Sequence, residues 1–282
     1  MPKFIVTADT GSGSSDQYKV ARSMEKINRL YRINSALLLG DNIYETGVTS
    51  HSDPQFKTKF EIPYRNLSLP VYLCLGNHDY GNTLFRNNNA DHQISYSDIS
   101  NKWNMPSKYY SIQKGPCEFF FLDTNFDNMN ESSIVDQFHA MTTKIKKSRK
   151  KWKIICGHHP WRSVGGHGNA ENRFEQFMND LCRMKGITFD LYMCGHDHCK
   201  NIILKKHPAN QSTITLLVIG TGGKKYHSGD PQLHNMKEGD SELLFHSPNL
   251  GICLIDATRS RLKLTCYNEI LQEEFSHFIR KE

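Results

Sequence analysis

Val71-Tyr72-Leu73-Cys74-Leu75-Gly76-Asn77-His78-Asp79 is a continuous apolar run that stops at a glycine and passes at once into an amide, an imidazole and a carboxylate. Such a run, with no polar alternation, reads as a strand buried on both faces, and glycine at its end lets the chain turn sharply. The pattern recurs. Phe4-Ile5-Val6-Thr7 leads to Asp9-Thr10-Gly11, Ala36-Leu37-Leu38-Leu39 to Gly40-Asp41-Asn42, Ile154-Ile155-Cys156 to Gly157-His158-His159-Pro160, and Leu191-Tyr192-Met193-Cys194 to Gly195-His196-Asp197-His198. Between the runs, Val20, Met24, Ile27 and Tyr31 form one apolar stripe, predicting a helix over 16–32, and Phe174, Phe177, Met178 and Leu181 do the same over 171–185. Strand, helix, strand alternation predicts an α/β fold, with any ligand gathered past the carboxyl ends of the strands. From about residue 200 the pattern turns β-rich (Thr213 to Ile219, Leu243 to His246, Ile252 to Ile255, Leu262 to Tyr267). No linker-like stretch separates the halves, so residues 1–282 read as one domain.

Composition narrows the function. The chain of 282 residues has 35 Lys plus Arg against 29 Asp plus Glu, a formal charge of +6, and 38% hydrophobic residues, enough for a sizeable core. No stretch reaches the roughly 20 apolar residues that span a bilayer, so no membrane partner is expected. The basic run Lys144, Lys146, Lys147, Arg149, Lys150, Lys151 and Lys153 follows a helix-like segment, where it reads as a solvated face favouring the helix dipole. Without a nucleic-acid motif beside it, no nucleic-acid partner is expected. The eight cysteines form no CxxC pair, and Cys74, Cys156, Cys194 and Cys253 sit inside apolar runs, as reduced buried thiols do. Met1-Pro2-Lys3 followed by Phe4 shows no export signal. The sequence as written is read as cytoplasmic, or as secreted or lysosomal if it is a processed form.

Five strand ends deliver Asp9; Asp41 and Tyr44; Asn77, His78 and Asp79; His158 and His159; and His196 and His198. A lone histidine after a strand is usually structural, and Asp41-Asn42 alone is an ordinary turn. Ligand-type residues at five strand ends point instead to a metal site. Asp9, Asp41, Tyr44, Asn77, His158, His196 and His198 are too many donors for one ion that keeps an open position, and suit two ions if Asp41 bridges. They sort by hardness. Asp9, Asp41 and Tyr44, completed by His198, suit a ferric ion, while Asn77, His158, His196 and the other Asp41 oxygen suit a borderline divalent ion. Tyr44 points the same way, since a phenol with an ordinary pKa of about 10 binds as phenolate near neutral pH only to a strong Lewis acid.

In order, Asp9-Thr10-Gly11, Gly40-Asp41-Asn42-Ile43-Tyr44, Gly76-Asn77-His78-Asp79, Gly157-His158-His159-Pro160 and Gly195-His196-Asp197-His198 resemble the signature of the metallophosphoesterases. Among these, the chain is similar to the purple acid phosphatases of the small tartrate-resistant type. The likeness continues through Glu45-Thr46-Gly47-Val48, Gln93 to Ser107, Phe121-Leu122-Asp123-Thr124 and Asn249-Leu250-Gly251. The resemblance implies a four-layer β-sandwich flanked by helices (α/β, or α+β). It implies a ferric ion on Asp9, Asp41, Tyr44 and His198, and iron(II), zinc or manganese on Asp41, Asn77, His158 and His196. It also implies His78 and His167 as substrate-facing proton donors, and hydrolysis of phosphate monoesters by water activated on the metals. Small phosphorylated substrates or phosphoproteins are the expected partners, with the protein a monomer.

The sequence departs from the small mammalian type in places. His159 stands where that type has tyrosine, as a further proton donor or a supporting residue. Gly165-Gly166 removes an acidic neighbour of His167 and is expected to loosen that loop. The segment from Thr124 to His158 is shorter, so no proteolytic activation is expected. The competing reading is the phosphodiesterase or protein-phosphatase branch, which carries Asp-x-His in the first motif and no phenolate donor. A non-catalytic binding module on the same scaffold would have lost a donor, and none is lost.

Overall fold

The computed structural model describes residues 1–81, 89–210, 212–225, 231–236 and 239–281. The strands are β1 Lys3–Thr7, β2 Ser35–Leu39, β3 Val71–Cys74, β4 Trp103–Asn104, β5 Tyr110–Lys114, β6 Cys117–Phe121, β7 Trp152–Cys156, β8 Leu191–Cys194, β9 Lys200–Lys206, β10 Thr213–Ile219, β11 Ser241–Ser247, β12 Gly251–Ala257, β13 Arg261–Asn268 and β14 Glu273–Arg280. The helices are α1 Ser15–Tyr31, α2 Pro54–Phe56, α3 Ala90–Ser95, α4 Glu131–Lys147 and α5 Asn172–Arg183.

Two seven-stranded mixed sheets form, in the orders β14-β13-β12-β1-β2-β3-β4 and β11-β9-β10-β8-β7-β6-β5. β1, β2 and β3 run parallel in the first, and β6, β7, β8 and β10 in the second. All five residues of β2, all five of β6 and all four of β8 are buried, as expected of largely apolar strands covered on both faces, with Ser35 and Glu118 the polar exceptions. One core lies between the sheets, where the Phe4 and Phe119 rings meet edge to face at 4.8 Å. A second joins the second sheet to α4 and α5 through Phe120, Tyr192, Met141, Phe177 and Leu181. With α1 packed on β12, the layers are helix, sheet, sheet, helix. Because β1, β2 and β3 are parallel, the turns after them carry Asp9, Asp41 and Asn77 to the same edge. β7 and β8 do the same with His158 and His196.

The predicted helices form with ends shifted by one or two residues. Val20, Met24 and Ile27 are buried, but Tyr31 is 42% exposed. α1 ends there, capped by Arg32 in the left-handed region at φ +50°, and the last member of the stripe sits at the rim, with Lys3 Nζ 5.7 Å from its ring centre. α4 is N-capped by Asn130, whose side chain accepts the Ser133 N–H, and carries Lys144, Lys146 and Lys147 in its last turn, opposite the negative end of the helix dipole. All eight cysteines are buried and unbonded. Among the described residues no helix is long and apolar enough to cross a membrane.

Candidate metal centre

The side chains at the strand ends fall into two donor groups. In the first, the Tyr44 hydroxyl donates to Asp9 Oδ1 at 2.8 Å and lies 3.2 Å from His198 Nε2, which is 3.4 Å from Asp9 Oδ1. In the second, Asn77 Oδ1 lies 3.1 Å from His158 Nε2 and 3.0 Å from His196 Nδ1, and those two nitrogens are 3.3 Å apart. Asp41 Oδ1 joins the second group at 3.4 Å from His158 Nε2. Ligand atoms of Asp9, Asp41 and His158 all fall within 4.8 Å of one another, so Asp41 is within reach of both groups. Donors about 2.1 Å from an ion lie about 3.0 Å apart at the edge of an octahedron and about 3.4 Å at that of a tetrahedron. The spacings observed fit donors around ions as well as hydrogen bonds, and carboxylate, phenol, amide and imidazole are all metal-binding groups.

The backbone is bent to achieve this. Asp9, Asp41 and His196 have φ of +58°, +52° and +67°, a left-handed conformation that costs a non-glycine residue on the order of 1–2 kcal/mol. Gly40, at φ +88°, precedes Asp41 where a Cβ would stand 2.4 Å from His158 Nδ1. A Cβ on Gly76 would stand 2.2 Å from Asp41 Oδ1.

Electrostatics follow from burial and crowding. Burial alone would raise the Asp41 carboxyl, but His158, His78 and His196 around it hold it well below the usual carboxylate range. Burial works against His158 protonation, yet Asp41 and Asp9 push it up to about 10. Burial, then Asp9 and Asp41, raises the Tyr44 phenol well above its ordinary value, so without a cation it stays protonated and donates to Asp9. His158 Nδ1 faces the Leu39 carbonyl at 2.8 Å, which fixes the ring and leaves Nε2 pointing at the donor group.

The other histidines surround this centre. His78 has its Nδ1 2.5 Å from the Glu45 carbonyl, its ring 4.4 Å from that of Tyr44, and its Nε2 3.9 Å from Asp41 Oδ2. The exposed His167 ring lies 4.0 Å from that of His196. Burial, then His158, pushes His159 down to about 3, so its imidazole is held neutral, with Nδ1 2.8 Å from Thr124 Oγ1. A cavity of about 280 Å³ opens beside Asn77, His159, His167 and His196, walled by Phe126, Phe174 and Arg173.

Three residues support the centre in ways the sequence did not assign. Asp79 is the largest clamp, accepting from the backbone N–H groups of Asn42, Ile43 and Gly76 and from the side chains of Asn42 and Gln93. Thr124 Oγ1 accepts the N–H groups of both His158 and His159, at 3.1 and 3.0 Å. Lys224 places its Nζ 4.3 Å from the Tyr44 ring centre, paired with Glu45 at 2.8 Å. Asp79 had a signal, a carboxylate closing the Gly76-Asn77-His78 turn. Thr124 lay in a family-like stretch that gave no hint of its role, and Lys224 had no signal, both being distant in sequence from what they touch.

The expectation that Gly165-Gly166 loosens the His167 loop is corrected. The His167 N–H donates to Asp197 Oδ1 at 2.7 Å, the Asn235 side chain donates to the Ser163 carbonyl at 2.9 Å, and the Gln232 N–H to the Val164 carbonyl at 2.8 Å. At the loop's base Arg162 pairs with Glu175 and Asp240, and Lys205 also pairs with Asp240. Burial would raise the Asp240 carboxyl, but Lys205, Ser241 and Arg162 bring it down to about 2. A depressed carboxyl stabilises the fold fully above the ordinary range near 4, and that contribution disappears as pH falls from about 4 to about 2. Asp240→Asn is therefore expected to cost about 1–2 kcal/mol at pH 7, after solvent screening of this partly exposed group, and much less near pH 2, measured by denaturant unfolding across pH.

The fold and donor set define a dinuclear phosphoesterase, and comparison with known proteins agrees. Residues 2–200 match the calcineurin-like phosphoesterase family. The chain is 28% identical to purple acid phosphatase 7 of Arabidopsis thaliana, over 94% of this chain and 82% of that one. It is 30% identical to tartrate-resistant acid phosphatase type 5 of Rattus norvegicus, over 86% of this chain and 78% of that one. Among solved structures, GAP50, the anchor in the inner membrane complex of Plasmodium, superposes with a TM-score of 0.79 over 100% of this chain and 89% of that one. At 18% identity that likeness concerns the fold alone. The chain belongs to the purple acid phosphatases, within the calcineurin-like phosphoesterases.

Proposed function

We propose that this protein hydrolyses phosphate monoesters to alcohol and phosphate at a ferric–divalent pair, with iron(II), zinc or manganese as the divalent partner. The observation that carries this reading is the division of donors into two groups meeting at Asp41. Asp9, Tyr44 and His198 with Asp41 would hold the ferric ion, and Asn77, His158 and His196 with Asp41 the divalent one. Bound there, the pair supplies Lewis acidity and a nucleophile from water. The chain's own residues do the rest. Asp79 and Thr124 keep the donor turns in place, Lys224 and the net charge of +6 favour an anionic substrate, and His78 and His167 flank the centre as imidazoles able to protonate a leaving alcohol. The cavity beside His167 receives the alcohol half. Small phosphorylated molecules or phosphoproteins are the proposed substrates, and a monomer the proposed active form.

Metal analysis together with turnover of a chromogenic monoester at acidic pH tests this. Two metals per chain, hydrolysis and a visible absorption band are expected, with the band lost in Tyr44→Phe. Fewer than two metals and no hydrolysis after iron with zinc or manganese is supplied would sink the proposal, and an unchanged spectrum in Tyr44→Phe would remove the ferric–phenolate assignment.

A further inference from the structure

His196-Asp197-His198 alternates in what it faces. The two histidines join the two donor groups, while Asp197, fully buried between them, turns to the neighbouring loop. There its Oδ1 accepts the His167 N–H at 2.7 Å. Gly165, on the same loop, comes so near that a Cβ on it would stand 2.3 Å from Asp197 Cγ, and a Cβ on Gly220 would stand 2.2 Å from the Asp197 carbonyl oxygen. Gly165 closes over the carboxylate and Gly220 over the residue's backbone, and the loop reaches the carboxylate because residue 165 has no side chain. Directly past this contact, the His167 ring lies 4.0 Å from the His196 ring at an interplanar angle of 34°.

We propose that Asp197 is the positioning residue that sets the His167 imidazole over the metal centre. The tripeptide that offers one donor to each group then also places the imidazole facing the substrate. The inference rests on the reading of His167 as substrate-facing. A backbone N–H bonded to a buried carboxylate is charge-assisted, and stronger than its neutral counterpart. Misplacing a reacting group by about 1 Å can cost roughly 100-fold in rate. Asp197 reaches the reaction through His167, so its loss matters while that imidazole is present and not otherwise.

The test combines Asp197→Ala, His167→Ala and the double variant, with metal content, kcat and KM for a chromogenic monoester, and hydrogen exchange of the His167 amide by NMR. Asp197→Ala is expected to keep both metals, to speed exchange of that amide by roughly 100-fold, and to lower kcat by roughly tenfold or more with KM within about twofold. Asp197→Asn, which retains an acceptor oxygen, should recover most of the loss, and the double variant should be no slower than His167→Ala. If Asp197→Ala slows the His167→Ala protein as much as it slows the wild type, or if it strips a metal, Asp197 acts through the donors and the proposal is overturned. Exchange is read without turnover. Lost protection in Asp197→Ala beside an inert wild type would retire the phosphatase reading and keep the contact, whereas unchanged protection would overturn the proposal whatever the activity.

Discussion

Asp41→Ala is expected to reduce metal content from two ions per chain to one or none and to lower monoester hydrolysis by at least about a thousandfold, with the fold retained. Three roles meet on this carboxylate. It lies within reach of Asp9 on one side and His158 on the other, and its Oδ1 also accepts the His78 N–H at 3.0 Å. On the proposed ferric–divalent reading, removing it takes a donor from both groups, and it frees the turn that carries His78. It also leaves the buried His158 without the partner that favours its charged form, so the ring returns toward neutrality, which does not substitute for the lost bridge. Metal analysis and far-ultraviolet circular dichroism, run beside the rate assay, separate loss of ions from loss of fold. A variant that kept two ions and more than a tenth of the activity would show that Asp41 is not the shared donor.

Gly76→Ala is expected to be a severely damaging single-methyl change at the site, costing about 3 kcal/mol and weakening metal binding. The new Cβ would stand 2.2 Å from Asp41 Oδ1 and 2.3 Å from the Asp41 backbone nitrogen, and that nitrogen belongs to a turn that cannot move without moving the bridge. The strain is steric alone, since Gly76 is not among the residues with positive φ. Gly186→Ala gives the contrast. Gly186 has φ +81° and nothing within 4 Å of an added methyl, so only the left-handed backbone penalty of about 1–2 kcal/mol applies and metal content should not change. Denaturant unfolding of both variants with metal titration checks the pair. Equal destabilisation with equal metal affinity would mean that the contact with Asp41 has relaxed.

The candidate donors could be picked out because two local signals coincide at most of the strand ends, an apolar run and a metal-binding side chain just past a glycine; Asp9 follows its run with no glycine before it. β2 and β3 show how far this goes, since their burial follows directly from their residues. Edge strands were harder. β14, Glu273–Arg280, alternates poorly and is only half-buried, and it is held by pairing with β13 more than by an apolar face of its own. Thr124 was recognisable only as part of a family-like stretch. Its work, accepting two backbone N–H groups from the turn after β7, depends on β6 and β7 lying side by side. The Gly165-Gly166 pair misled for a related reason. A glycine pair in isolation suggests freedom, but here Gly165 is the space through which the loop reaches Asp197.

Sequence alone determined the class of protein, the order of its strands and helices through much of the chain, and which seven side chains are candidate donors, because burial periodicity and donor chemistry are properties of neighbouring residues. Tertiary structure alone decided which oxygen and nitrogen atoms of the candidates meet, and which buried groups hold them. Those are matters of distance between segments far apart in the chain. Asp9 and His196 are brought together by 2.9 Å between a carboxylate oxygen and a backbone N–H, a contact set by two sheets packing face to face and written in neither residue's neighbourhood.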